Sequence, residues 1–288
     1  MRRSAFSLFI MAVLLAACGG EDRAGVMRFS AIPDRDQTLL AQRFDPVARY
    51  LSEKLGVRVE YVPSSDYASS VEMFKNGDIQ LAWFGGLSGV VARHAVAGAH
   101  AIVKGESDAA FHTYFIAHRS TGLTRSDEFP LGMKGMKFTF GSRGSTSGRL
   151  MPEKFIRDAT GLPPEEFFGS VNFSGDHDKT AELVEAGTYQ VGALNFKTYE
   201  ARVKSGMTDP DVCRVIWKTP AYADYNFTAH PSLERELGAG FTAKLERALL
   251  EMTDPKLLQA FLRKKMIPAD DREFEAIKQV AQQQDMLR

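Results

Sequence analysis

The chain has 288 residues, with 36 Lys and Arg against 36 Asp and Glu, 44% hydrophobic residues and two cysteines. This composition is typical of a globular protein of one or two domains. The absence of a basic excess argues against a nucleic-acid partner.

The first residues have the pattern of an export signal. Arg2 and Arg3 precede an apolar run at 6–17 that ends in Leu15-Ala16-Ala17-Cys18. A positive start, a short apolar core and a small-residue end describe a secretory signal peptide. The run is shorter than the roughly 20 apolar residues that a membrane-spanning helix needs.

The Cys after Leu-Ala-Ala resembles the bacterial lipobox, in which that Cys carries the lipid. We therefore predict a signal peptide at 1–17, lipidation of Cys18 and a tether over 18–26. This predicts an exported lipoprotein, anchored in the membrane in the periplasm or on the outer face of the cell membrane. The alternative is an ordinary cleaved signal with a coincidental Cys. Loss of the two arginines of the signal leaves 34 basic against 36 acidic residues, so any anion site must be made by local groups.

Strand-like and helix-like segments alternate along the rest of the chain, which predicts an α/β fold. The strand candidates are short apolar runs bounded by turn residues, at 27–32, 57–62, 79–84, 100–104, 113–118, 137–141, 170–173, 190–194, 214–218 and 225–229. The helix candidates lie between them, at 45–56, 67–75, 87–95, 150–159 and 179–186, and three more follow at 238–252, 255–265 and 271–286. Asp45-Pro46 is interpreted as a helix start, because Pro suits the first helical position.

Four successive strand-to-helix turns are rich in hydroxyls, glycines or other donors, at 64–67, 85–88, 142–148 and 174–177. In open α/β sheets such turns line the ligand crevice. A helix start also presents free N–H groups and a partial positive charge, which favour a bound anion. The sequence therefore predicts an anion site at these turns.

The third turn carries three consecutive hydroxyls on Ser145, Thr146 and Ser147, between Gly144 and Gly148. The glycines let a ligand approach the backbone closely. Ordinary N-capping is the alternative, but one hydroxyl would suffice for it.

The sequence resembles a known family at several of these places. The matching segments are 44–51, 78–85, 144–148 with Pro152, 174–178 and 191–195. They are similar to the phosphonate/phosphite-type substrate-binding proteins of ABC importers, over nearly all of the mature chain. Ser65-Asp-Tyr-Ala68, 83–88 and 186–195 are most similar to the selenate-binding branch of that family.

The resemblance implies a type II periplasmic-binding-protein fold, in which two α/β sandwich domains enclose a ligand cleft. Domain I is expected at 27–117 plus 218–288 and domain II at 118–217, with hinge strands at 113–118 and 214–218. It also implies a monomer that captures a small tetrahedral oxyanion and delivers it to an ABC permease and its ATPase. No enzymatic activity, cofactor or metal is expected, and no Gly-x-Ser-x-Gly or His-Glu-x-x-His motif is present.

The residues that the resemblance places at the ligand are Tyr67, Phe84, Gly85, Gly86, Ser145, Thr146, Ser147, His177 and Asn195. Two positions depart from the family pattern. Gly89 stands where many members have a Tyr, and Asn195 stands where phosphonate-type members carry a carboxylate.

A site built from donors alone suits a fully ionised dianion, so we favour sulfate or selenate as the ligand. Capping of the next helix is the alternative role for Asn195. Phosphonate, phosphite or phosphate remains the alternative ligand class. A sensory module that binds the same ligand remains a more distant alternative.

Overall fold

The computed structural model describes residues 25–35 and 37–287. The predicted signal peptide, Cys18 and most of the predicted tether lie outside the described residues. Within the part that is described, no helix is both long enough and apolar enough to cross a membrane.

The strands form two sheets, and all ten strand candidates are present. The strands are β1 Val26–Ala31, β2 Arg58–Tyr61, β3 Leu81–Phe84, β4 His100–Gly105, β5 Thr113–His118, β6 Lys137–Phe140, β7 Ser170–Phe173, β8 Val191–Asn195, β9 Cys213–Lys218, β10 Asn226–Ala229 and β11 Met266–Pro268. The sheet orders are β11-β4-β10-β3-β1-β2 and β7-β6-β8-β5-β9. The sequence analysis missed β11, because three residues are too few to display an alternating pattern.

The helices are α1 Gln37–Leu55, α2 Tyr67–Lys75, α3 Gly86–Ala95, α4 Met151–Thr160, α5 Pro164–Phe167, α6 His177–Glu185, α7 Phe196–Lys204, α8 Ser232–Leu237, α9 Phe241–Leu250, α10 Pro255–Gln259 and α11 Glu275–Gln283. They alternate with the strands, so the predicted α/β class is confirmed.

The predicted start of the first helix is wrong. The helix begins at Gln37 and carries Pro46 in its interior, where Pro removes one hydrogen bond and crowds the preceding turn. Burial of the apolar stripe of α1 outweighs that penalty, since Phe44 and Leu51 of this stripe are buried in the core and packing dominates helix stability in proteins. The helical tail is also less continuous than expected, because β11 interrupts it.

The parallel part of each sheet brings the predicted anion turns to one edge. In the first sheet β1 pairs in parallel with β2 and β3, and in the second β6 pairs in parallel with β7 and β8. The carboxyl ends of these strands lead into the turns before α2, α3, α4 and α6. We call the unit built on the first sheet lobe I and the unit built on the second sheet lobe II.

The chain crosses between the lobes twice, after β4 and after β9. Phe111 and Tyr222 exchange backbone hydrogen bonds of 2.8 and 3.0 Å, so the two crossing segments run side by side. All of β5 and β9 lie in the second sheet. The crossings therefore lie at about 106–112 and 219–225, next to the hinge strands expected from the sequence.

Each lobe has its own core, and the two lobes are also packed together. Phe29, Phe74 and Phe227 belong to the lobe I core, whereas Phe138 and Trp217 belong to lobe II. Near the cleft, Leu150 and Met151 of the lobe II chain pack within the lobe I core cluster. The turn that precedes α4 is therefore held against lobe I.

Candidate anion-binding site

The three hydroxyls of the turn before α4 have three different environments. Ser145 is an N-cap, and its Oγ accepts the N–H of Gly148 at 2.9 Å. Thr146 Oγ1 accepts the N–H of Leu87 from lobe I at 2.9 Å. Ser147 Oγ is buried near the Tyr222 hydroxyl, but it makes no hydrogen bond of ordinary geometry within the described residues. Capping of its own helix thus accounts for one hydroxyl only, while Thr146 Oγ1 caps the first turn of α3 in the other lobe.

The backbone of the same turn is unusual. Residues Thr146–Leu150 form a π-helical turn that continues directly into α4. Such turns are rare and occur frequently at functional sites. The first amides of a helix lack intrahelical acceptors, so the backbone N–H groups at the start of this turn are available to a partner from outside the helix.

The two glycines of the turn permit close contacts that any side chain would block. A Cβ on Gly148 would lie 3.0 Å from Cε1 of His177, and a Cβ on Gly144 would lie 2.9 Å from Cβ of Tyr67. Gly148 therefore lets the imidazole pack on the turn, and Gly144 lets lobe I approach lobe II.

His177 is a buried and neutral hydrogen-bond donor. It is fully buried at the start of α6, and this burial lowers the pKa of His177 to about 4, although the charge of Asp178 opposes the shift. Its Nδ1 accepts the N–H of Asn195 at 3.4 Å, so the ring proton resides on Nε2. That Nε2 has no partner among the described residues.

Tyr67 supplies a second donor from lobe I. It is the first residue of α2, which Asp66 caps by accepting the N–H of Ser69 at 2.8 Å. Burial raises the pKa of Tyr67 well above its usual range, so the phenol stays protonated. The Ser145 hydroxyl lies nearby, but Tyr67 Oη makes no hydrogen bond of ordinary geometry within the described residues.

A carboxylate completes this cluster, and the sequence analysis missed it. Asp224 lies on the second crossing segment and is 1% exposed. Its Oδ1 accepts the N–H of Gly86 at 2.9 Å, while its Oδ2 is buried without a partner among the described residues. Burial raises the pKa of Asp224 to about 7, and hydrogen bonds from Gly86 and Thr146 oppose the shift.

The cluster thus contains an acceptor as well as donors, which was not expected from the sequence. The carboxylate was sought at position 195, but it comes from the crossing segment, which a local pattern does not connect to the anion turns. The available signal was an acidic residue within Tyr222-Ala-Asp-Tyr225, since an Asp among aromatic residues is rarely buried without a purpose.

Asn195 is engaged on both of its polar atoms. Its Oδ1 caps α7 by accepting the N–H of Thr198 at 2.7 Å, and its Nδ2 donates to Tyr225 Oη at 3.0 Å. Tyr225 in turn donates to Oδ2 of Asp34 at 2.8 Å, while burial raises the pKa of Asp34 against the effect of that bond. Asn195 thus caps a helix and links the lobes, and its contact with a ligand stays a prediction.

The three predicted residues at the end of β3 have mainly structural contacts. The N–H of Gly86 is occupied by Asp224, and the carbonyl of Gly85 accepts the N–H of Gly89 at 2.8 Å. The ring of Phe84 packs edge-on to Phe74 in the lobe I core, with centroids 5.5 Å apart. Their contact with a ligand is likewise a prediction. At Gly89 a Cβ would lie 2.9 Å from Arg93 Nη1 and 3.0 Å from the Asn226 amide, so a larger residue there would require these side chains to move.

A cavity of about 890 Å³ lies outside this cluster, between the turns of the two lobes. Tyr67 is the one residue of the buried cluster that lines this cavity. The volume of the cavity is far larger than a small oxyanion needs. The unpartnered atoms of Ser147, His177 and Asp224 belong to residues that do not line this cavity. Among the described residues, no group of three His, Cys, Asp or Glu could hold a metal ion.

Comparison with known proteins identifies the family. Residues 29–274 match the family described as "ABC transporter, phosphonate, periplasmic substrate-binding protein". The chain is 34% identical over 271 residues to the probable ABC transporter phosphite binding protein PhnD1 of Prochlorococcus marinus (strain MIT 9301), covering 91% of each chain. It is 29% identical over 252 residues to the phosphate-import protein PhnD of Mycolicibacterium smegmatis, covering 79% of this chain and 76% of that protein.

Solved structures agree with this assignment. The structure of Prochlorococcus marinus PhnD1 in complex with methylphosphonate matches with a TM-score of 0.86 and 33% identity, over 91% of this chain and 99% of that one. A binding protein component of an ABC phosphonate transporter from Pseudomonas aeruginosa has the same fold, with a TM-score of 0.77 at 19% identity. These relatives are binding proteins and not enzymes, and they favour a phosphorus oxyanion over the sulfate or selenate that we first preferred. The chain belongs to the family of phosphonate-type periplasmic substrate-binding proteins of ABC transporters.

Proposed function

We propose that this protein captures a phosphonate or phosphite in a protonated form and delivers it to an ABC permease. The observation that carries the proposal is the Oδ2 of Asp224, which is buried without a partner among the described residues, together with three donors in the same condition. The donors are Tyr67 Oη, Ser147 Oγ and His177 Nε2. The charge of Asp224 acts on Tyr67, and its carboxylate lies beside Thr146.

The cluster suits a ligand that both accepts and donates hydrogen bonds. The anionic oxygens of a phosphonate or phosphite can accept from the hydroxyls, from the imidazole and from the amides of the turn before α4. A remaining P–OH group can donate to Asp224. Hydrogen bonds that involve a charged partner are worth roughly 1.5–3 kcal/mol each, and burial strengthens them.

Sulfate and selenate fit this arrangement less well. Neither carries a proton at neutral pH, so Asp224, whose pKa is raised to about 7, could face one of their oxygens only after it had taken up a proton itself. Two buried negative groups in contact are strongly unfavourable. The carboxylate therefore works as a selector for oxyanions that retain a proton.

The relatives support the same ligand class. One curated relative is named as a phosphite binding protein, another as a phosphate-import protein, and the first structural relative holds methylphosphonate. Phosphite and methylphosphonate differ from phosphate in replacing one oxygen by H or CH₃, so all three can offer a P–OH group to Asp224.

We also propose that the mature protein is an exported monomer tethered through a lipid on Cys18. The motif Leu15-Ala16-Ala17-Cys18 and the positive start support this. A single acyl chain holds a protein only weakly at a membrane, so several acyl groups are expected on the anchor. The tether would keep the protein near its permease and ATPase.

Thermal unfolding of the soluble domain with a panel of anions tests the ligand class. A ligand at 100 times its Kd adds roughly 2.7 kcal/mol of stability, or about 5–10 °C in Tm for a protein of this size. We expect shifts with phosphite and methylphosphonate, and little or none with sulfate and selenate. A shift with sulfate or selenate alone would contradict the proposal.

The anchor has a separate test. The full-length protein and its Cys18→Ala variant are expressed in a bacterial host with labelled palmitate, and membranes are then sedimented. We expect label and membrane association for the parent protein only. Equal labelling of both would refute lipidation at Cys18.

A further inference from the structure

Two charged side chains from opposite lobes meet beside the anion-binding cluster. Arg35 lies in the loop after β1 in lobe I, and Asp178 lies in α6 of lobe II. Arg35 donates from Nε to Oδ2 at 3.0 Å and from Nη2 to Oδ1 at 3.2 Å. The two side chains are 8% and 9% exposed. Bidentate pairs of this kind are among the stronger hydrogen bonds in proteins, and burial limits their screening by salt.

This ion pair is attached directly to the residues that surround the ligand. Asp178 follows His177 in α6, and the carbonyl of Asp34, next to Arg35, accepts the N–H of His177 at 3.0 Å. The loop after β1 thus holds the start of α6 at two adjacent residues. The donors assigned to the anion are other groups, so Arg35 and Asp178 need not touch the ligand.

The two residues of the pair differ in the partners that they keep when the cleft opens. Asp178 Oδ1 also accepts a hydrogen bond at 3.0 Å from Arg202, which belongs to the same lobe. Arg202 is held in place through Thr208 Oγ1 at 2.9 Å. Burial raises the pKa of Asp178, but hydrogen bonds from Arg35 and Arg202 outweigh it, so the pKa is lowered and the carboxylate is ionised at neutral pH. When the lobes separate, Asp178 keeps Arg202, whereas Arg35 loses this carboxylate.

We infer that Arg35 and Asp178 form a closure pair that determines ligand affinity without contacting the ligand. The inference rests on the proposed function. Binding proteins of two lobes close around a ligand by a hinge motion, and any contact present only in the closed form adds to the observed affinity. Because the closure pair forms after the encounter with the ligand, its effect falls mainly on the dissociation rate.

The test compares Arg35→Gln with the parent protein, using methylphosphonate and phosphite as probes. Intrinsic fluorescence in stopped flow gives association and dissociation rates, and calorimetry gives Kd. We expect Kd to rise about tenfold or more, which corresponds to roughly 1.4 kcal/mol of lost coupling. The increase should lie in the dissociation rate, and the Tm of the ligand-free protein should stay unchanged, because the open form lacks the pair.

Two matched variants serve as controls. Arg202→Gln removes the partner of Asp178 within lobe II and should lower the ligand-free Tm, because this pair is also present in the open form. Arg58→Gln removes an exposed pair with Glu60 inside lobe I and should change neither quantity. A parent-like dissociation rate in Arg35→Gln, or a ligand-free Tm lowered as far as in Arg202→Gln, would overturn the closure pair. If the parent protein binds neither methylphosphonate nor phosphite, the proposed function itself fails. This result is distinct from the two results that would overturn the closure pair.

Discussion

The backbone N–H of Gly86, at the start of α3, donates to one oxygen of Asp224, and the other oxygen of that carboxylate is buried without a partner among the described residues. One oxygen is therefore fixed by the fold, while the other is available to a ligand. This arrangement places an acceptor in a cluster whose remaining unpartnered atoms are donors, and it leads to the first two predictions.

Asp224→Asn should reverse the preference between oxyanions. The amide can donate to an anionic oxygen but is a poorer acceptor for a P–OH group. We expect methylphosphonate to bind about 10- to 100-fold more weakly and sulfate to bind no worse than before, both measured by calorimetry. Asp254→Asn is the matched control, since Asp254 is a surface cap that accepts the N–H of Lys256. An unchanged ratio of the two affinities in Asp224→Asn would exclude Asp224 as the selector.

The stability of the closed form of the protein should depend on the protonation of Asp224. Burial raises its pKa to about 7 from a usual value of 3.8, so the folded state binds the proton more tightly than the unfolded state. The bound proton contributes its full stabilisation below the unfolded pKa. This contribution is lost as the pH rises through the folded pKa, at up to roughly 1.4 kcal/mol per pH unit. We expect the free energy of unfolding to fall between about pH 4 and 7, and this slope to be reduced in Asp224→Asn. Equal slopes in urea titrations of both proteins would contradict the shifted pKa.

His177 should act as a neutral donor, and its replacements should differ accordingly. The amide of Gln can place an N–H close to the position of Nε2, whereas Ala cannot. We expect His177→Ala to weaken methylphosphonate binding about tenfold or more and His177→Gln to weaken it less. Burial lowers the pKa of His177 to about 4, so the imidazole does not change its charge near pH 6.5. Ligand binding by the parent protein should therefore show no step near pH 6.5 that is missing in His177→Gln. Such a step, followed by calorimetry across pH, would mean that the imidazolium binds the anion.

Gly148→Ala should damage the site through sterics alone. The new Cβ would lie 2.9 Å from Ser145 Oγ and 3.2 Å from Cα of Gly141, in addition to its contact with the imidazole. We expect weaker binding and a Tm lowered by several degrees, since overpacking typically costs about 1–3 kcal/mol. Gly132→Ala is the control, because there the Cβ meets only the flexible end of Leu123. Parent-like binding by Gly148→Ala would show that the turn can relax.

Tyr225→Phe should interrupt the chain of hydrogen bonds between the lobes. The hydroxyl of Tyr225 accepts from Asn195 and donates to Asp34, so its loss leaves two buried groups without this partner. An unsatisfied group of this kind costs about 1–3 kcal/mol. We expect weaker methylphosphonate binding in calorimetry, with the ring itself still stacked on Trp83 at 5.6 Å between centroids. Unchanged affinity would indicate that Asn195 serves only as the cap of α7.

Local sequence patterns predicted the elements that present the anion turns. Runs such as 113–118 and 170–173 coincide with β5 and β7, because strand propensity and turn residues act over a few neighbours. The same reasoning failed at α1, where Pro46 suggested a helix start but buried contacts distant in sequence decided otherwise. The hydroxyl triplet was also identified from its position at a helix start, whereas the resemblance pointed to His177.

The sequence by itself determined the α/β class, the positions of the donors and, through the resemblance, the family. Only the tertiary structure showed that the candidate site contains a hydrogen-bond acceptor, the carboxylate of Asp224. Asp224 lies 138 residues from Gly86 along the chain, and its carboxylate reaches α3 only because the second crossing segment passes the cleft. Asn195 was predicted to select the charge of the ligand, and both of its polar atoms are hydrogen-bonded within the protein, to Thr198 and Tyr225. Helix starts are encoded by neighbouring residues, whereas the pairing of a buried carboxylate depends on how two lobes are joined.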